Sequence, residues 1–134
     1  MNPPKFSDFD IDFAAGKVGE NLVEEQLGAI LTGGSTVEVK TDLKWKNTGN
    51  IYVETECFYQ TSQSWEPSGL SVTKAAAWAF VLNGLTIVIP TDDLRKIVEV
   101  EGSAIDCKIE PNPSRGFLIR PEHLLFYFKM KRED

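Results

Sequence analysis

The 134-residue sequence predicts an α/β fold of the α+β, mixed-sheet kind, in one domain spanning residues 1–134. Three observations predict it. Residues 13–31 place apolar side chains at helical spacing. Residues 36–42 and 51–59 follow strand patterns. Residues 84–98 pass from a short apolar run into an amphipathic stretch with acids at its head. A chain of this length can bury a real core, and a hydrophobic content of 42% suits an ordered globular domain.

Residues 1–12 are expected to be a loose lead-in. In FAAGKVGENLVEEQLGAIL, Val23, Leu27 and Leu31 follow Glu20 at i+3, i+7 and i+11, so Glu20 shares an apolar stripe; Gly33 and Gly34 end the helix. Residues 36–42 alternate, with Val37, Val39 and Thr41 on one side and Glu38, Lys40 and Asp42 on the other. A turn is expected at Asn47–Asn50, with Gly49 as its permissive residue. IYVETECFY then has the β-branched and aromatic content of a strand and sets Tyr52, Glu54, Glu56 and Phe58 on one face. Residues 60–70 are expected to be loop, and residues 72–82 a helix packed through its alanines. GLTIVIP is expected to be a central, buried strand. Thr91 is placed to cap a helix over DDLRKIV, whose Asp92 and Asp93 favour its positive end. Residues 105–109 and GFLIR are strand candidates. The run after Pro121 fits either a final helix or a β edge. There are no repeats or low-complexity tracts.

Composition removes several function classes. One histidine, His123, and two separated cysteines, Cys57 and Cys107, make neither a zinc site nor a disulfide scaffold. The cysteines are expected to be buried free thiols in a reducing cytoplasm. MNPPKFSDFD lacks the basic-then-apolar order of a signal peptide. The longest apolar stretch is interrupted at Asn83 and Gly84 and is too short to span a bilayer. Gly16, Gly19 and Gly33–Gly34 match no phosphate-binding loop. The net charge of −6 opposes a tight, sequence-independent grip on DNA, although Lys40, Lys44 and Lys46 cluster beside the acids.

The carboxylates carry the chemistry. Asp42 closes VEVKTD, Glu54 and Glu56 follow in YVETE, and Glu20 lies upstream on the helix. A helix and two neighbouring strands that bring such acids together form a hard-oxygen site for Mg²⁺, with Mn²⁺ as a substitute. Sites of that kind serve phosphodiester hydrolysis.

The order of elements and the position of these acids resemble the PD-(D/E)XK nuclease superfamily, over roughly residues 16–90. GKVGENLVEEQL is similar to its first helix, Asp42 to its central Asp, and Glu54-Thr55-Glu56 to an E-x-E variant of its E-x-K pair. SGLSVTKAAAWAFVL resembles the following helix of small phage-type and resolvase-like members. Glu56 stands where most members carry Lys. The literal E-x-K, Glu38-Val39-Lys40, precedes Asp42 and would need its Asp from Asp10 or Asp12.

The resemblance implies a restriction-endonuclease-like αβββαβ core with C-terminal additions. It implies a Mg²⁺-dependent deoxyribonuclease, structure-selective for junctions or flaps, with Glu20, Asp42 and Glu54 as metal ligands. Glu56, or Lys40 or Lys74, would orient the attacking water. DNA is the implied partner, and cutting both strands implies a homodimer, with no membrane association. The cytoplasm of a prokaryotic or phage-infected cell is the implied location. The alternative is a catalytically inactive nuclease-fold protein that binds nucleic acid or a protein partner.

Overall fold

The structure, a computed structural model, describes residues 17, 20, 21, 24, 36–42, 44–109 and 111–133. Contacts divide the chain into two units, Met1–Ser35 and Thr36–Asp134. In the first unit, Lys17, Glu20, Asn21 and Glu24 are helical, as the spacing predicts, and all four are exposed. The remaining expectations for residues 1–35 lie outside the described residues.

The second unit is mixed α/β with two sheets. One sheet has the order β1-β4-β5, from β1 (Val37–Thr41), β4 (Ala77–Leu82) and β5 (Leu85–Pro90). β1 runs parallel to β4, and β4 antiparallel to β5. The other sheet is antiparallel in the order β3-β2-β7-β6, from β2 (Ile51–Tyr59), β3 (Ser64–Pro67), β6 (Ser103–Cys107) and β7 (Ser114–Ile119). Three helices complete the unit: α1 (Trp45–Thr48), α2 (Thr91–Glu101) and α3 (Pro121–Glu133). α2 packs on β4, β5 and β7. The buried cluster joins Ile51, Val53 and Ile119 of one sheet to Trp78, Phe80 and Ile89 of the other through Leu94 and Ile97 of α2.

Several expectations change. The stretch 72–82 is not a helix: a 3-10 turn at Gly69–Ser71 is followed by irregular chain and by β4. Ala-rich composition favours a helix, but Asn83 and Gly84 take positive φ values of 47° and 93°. That dipeptide closes a two-residue hairpin, and the hairpin draws Trp78, Phe80 and Leu82 into the core. β5 is accordingly an edge strand with half of its residues exposed, and β4 is the central one. The expected loop 60–70 contains β3, hairpinned to β2. The expected turn at 47–50 is the end of α1, where Gly49 at φ 70° forms a left-handed C-cap.

α2 starts at Thr91, but the Thr91 hydroxyl does not cap it; it donates to the Ala75 carbonyl at 2.6 Å. Asp92 and Asp93 lie in the first turn, as expected. The chain after Pro121 is helix, with Pro at the first helical position. His123 Nδ1 accepts the Arg120 N–H at 3.0 Å and ties down that N-terminus. No helix among the described residues is long and apolar enough to cross a membrane.

Candidate metal centre

Asp42 follows β1 directly, and its carboxylate organises the connection to β2. Oδ1 accepts the backbone N–H groups of Lys44 (3.0 Å) and Trp45 (3.1 Å). These are free donors at the head of α1, which a carboxylate stabilises as a cap does. Oδ2 accepts the Tyr52 N–H at 3.1 Å. Because that N–H goes to Asp42, it points away from β7, toward the edge of β2 on which β3 lies.

Glu54 lies two residues further along β2 and is half-buried. Its Oε2 accepts the hydroxyl of Ser68 at 2.8 Å. The Ser68 N–H in turn donates to the Thr55 carbonyl at 2.9 Å. Asp42 and the Ser68 corner therefore attach to β2 on either side of Glu54. The Glu54 charge is felt by its neighbours. The Tyr52 hydroxyl is pushed above its ordinary range by burial, with Glu54 adding to the shift against the Ser114 hydrogen bond. Burial likewise raises the Cys57 thiol, and Glu54 raises it further.

Glu54 and Glu56 do not share a face. Glu54 pairs with Gly116 and Glu56 with Arg115, so Thr55 is an extra residue in β2. A one-residue slip of this kind exchanges the two faces of the strand. Beyond it, Glu56 lies on the side of Phe58, Trp65 and Arg115, where the Arg115 guanidinium sits 3.8 Å from the Trp65 ring centroid. Before it, Tyr52 and Glu54 lie on the side of Ser114, whose hydroxyl meets the Tyr52 hydroxyl at 2.7 Å.

The remaining candidates are placed as follows. Glu20 is 74% exposed and 3.9 Å from Lys17; Val23, Leu27 and Leu31, its expected stripe, lie outside the described residues. Lys40 is paired with Glu38 at 3.1 Å and lies 5.6 Å from the Trp78 ring centroid. Lys74 is exposed in the irregular chain before β4, not on a helix. Cys57 and Cys107 are free thiols, the first buried and the second half-buried.

Among the described residues no three His, Cys, Asp or Glu side chains form a group that could hold a metal ion. Mg²⁺ keeps several waters and is held by one or two carboxylates together with substrate phosphate. Asp42 and Glu54 are the two acids attached to β2 at the Tyr52 N–H and the Ser68 hydroxyl. With about four lone-pair sites on a carboxylate, Asp42 has used three and Glu54 one, and Glu54 Oε1 accepts no hydrogen bond from the described residues. Sequence reasoning missed Ser68. Its signal was the Pro67-Ser68-Gly69 corner directly after an aromatic strand segment.

No protein-family model, curated protein or solved structure matches the chain.

Proposed function

We propose that the chain is a Mg²⁺-dependent DNA endonuclease of the PD-(D/E)XK type, acting on junctions or flaps. The observation that carries the reading is the attachment of Asp42 to the Tyr52 N–H, which fixes one carboxylate on β2 two residues from Glu54. The finer architecture proposed is a restriction-endonuclease-like core, in which acids at the end of β1 and on β2 accompany a parallel β1–β4 pair. Asp42 and Glu54 would hold the ion. When bound, Mg²⁺ supplies Lewis-acid polarisation of the phosphate and a more acidic water.

The protein's own groups perform the rest. The three backbone donors on Asp42 fix its orientation, and the Ser68 hydroxyl fixes that of Glu54. Lys44 and Lys46, exposed beside Asp42, are suited to contact phosphate oxygens by charge. Lys40 and Lys74 remain the candidates for orienting the attacking water. Glu56, on the opposite face of β2, is turned away from the proposed ion. A homodimer would present two such sites to the two strands of a junction.

A second reading, an inactive nuclease fold that binds nucleic acid or protein, is favoured by the bulge that parts Glu56 from Glu54. Labelled duplex, flap and four-way junction, incubated at low salt with Mg²⁺ or Mn²⁺, test the two readings. The proposal expects junction or flap cleavage by the wild type and its loss in Asp42→Asn and Glu54→Gln. Junction binding without cleavage by any of these proteins would favour the second reading.

A further inference from the structure

We infer that the open edge of β5 is a self-pairing surface: two copies of this chain join β5 to β5, antiparallel about a two-fold axis at Ile87, so that their β1-β4-β5 sheets become one. The inference is independent of the metal chemistry proposed above.

Among the described residues the sheets have four edge strands, β1 and β5 in one and β3 and β6 in the other. A bare edge offers unpaired backbone groups to another strand, and charge or proline along it is the common guard. β1 carries Glu38 and Lys40, β3 carries Glu66 and Pro67, and β6 carries Asp106. β5 carries no charge: Leu85, Thr86, Ile87, Val88 and Ile89 precede its terminal Pro90. Leu85 is 55% exposed and Val88 44%. Val88 pairs with Ala79, and Ala79 with Val39, itself 61% exposed, so an uncharged row crosses the sheet to this edge.

The register shows which backbone groups of β5 are free. Asn83 and Gly84 form a two-residue turn, which closes on a hydrogen-bonded pair, Leu82 and Leu85. Bonded and non-bonded pairs alternate along an antiparallel ladder. At the far end the Thr91 N–H donates to the Ala76 carbonyl at 3.0 Å, in phase with that alternation. Ile87 and Ile89 therefore bond to β4, while the N–H and C=O groups of Thr86 and Val88 point away from it. A two-fold axis at Ile87 sets each Thr86 opposite Val88 of the second copy, where the pair exchanges both of its bonds. Sliding the pairing toward Pro90 loses a donor, because proline has no N–H. Sliding it the other way runs into Gly84, which sits in the turn at φ 93°.

Sedimentation across a protein concentration series tests the pairing. The wild type should pass from the mass of one chain to that of two. Thr86→Lys with Val88→Lys sets Lys against Lys in both cross-strand pairs, and like charges directly opposite resist pairing. Both positions are exposed, so this variant should fold, which circular dichroism checks, and should stay at the mass of one chain. Thr86→Lys with Val88→Glu sets Lys against Glu in both pairs and should dimerise again; damage to the fold would not divide the two variants in this way. Ile87→Cys should cross-link to its own copy on oxidation, with oxidised wild type as the control for Cys57 and Cys107. Directly opposed non-bonded residues have Cα atoms about 4.5 Å apart, within disulfide reach. A wild type that stays at the mass of one chain, a dimer that survives in the Lys–Lys variant, or a dimeric Ile87→Cys that does not cross-link would overturn the inference. None of these results alters the junction-cleavage test, which reads Asp42 and Glu54 separately.

Discussion

Asp42 has a structural duty that is separate from the metal-binding role proposed for it. Its three backbone hydrogen bonds fasten the end of β1 to α1 and to β2, so Asp42→Ala is expected to unfold the protein more easily as well as to remove the proposed ligand. Charge-assisted bonds of this kind set the loss on the order of 2 kcal/mol, measured by urea denaturation. Unchanged stability would show that these bonds are not maintained in solution. The cap-like contacts to Lys44 and Trp45 were readable, since an Asp shortly before a turn is a cap signal. The Tyr52 contact was not, because it depends on how β2 returns past the end of β1. A second residue-scale case is Tyr127. Its hydroxyl donates to Asp93, which Lys131 also meets at 2.8 Å. Burial and then the Asp93 carboxylate push the Tyr127 hydroxyl up to about 12. The folded value lies above the ordinary 10, so this contribution to stability is complete below pH 10 and is lost as pH rises through about 12. Thermal melts between those limits should fall more steeply for the wild type than for Tyr127→Phe; parallel curves would refute the assignment.

At the scale of elements, local pattern was a good guide where burial and pattern agreed. The strand character of 36–42 and 51–59, the α2 helix and the GFLIR strand all follow from periodicity or residue type. The pattern failed at β4, where alanines suggested helix and the Asn83-Gly84 hairpin enforced strand. It also failed at Thr55. A bulge is a property of the register between β2 and β7, strands some 60 residues apart in sequence, and no local pattern encodes it. The close approach of those strands gives an element-scale prediction. Gly116→Ala must force β7 away from the Val53 carbonyl, and it should destabilise the domain by about 1–3 kcal/mol, seen as a lower denaturation midpoint. A neutral Gly116→Ala would mean that the two backbones are not in contact there.

For the whole molecule, charge and assembly set the expected behaviour. With a net charge of −6, binding to plain duplex should be weak and should weaken further with salt. A junction should compete better than linear duplex if two sites of a dimer engage it together. Light scattering beside a junction-binding titration checks this, and a monomer with no preference for the junction would contradict it. The α+β class was legible from the sequence because it needs only the order of helix and strand patterns. The division into two sheets was not, since it is set by the long-range pairing of β1 with β4 and of β2 with β7.

The central claim is that Asp42 and Glu54 share a divalent cation, and paramagnetic line broadening by Mn²⁺ addresses it most directly. Substoichiometric Mn²⁺ added to ¹⁵N-labelled protein broadens amide signals near the ion whether or not any substrate is cut. The account predicts that broadening is centred on Asp42, Tyr52, Glu54 and Ser68, and that it disappears in Glu54→Gln. Broadening centred on other acids such as Glu20 and Glu24, or none at all, would contradict it.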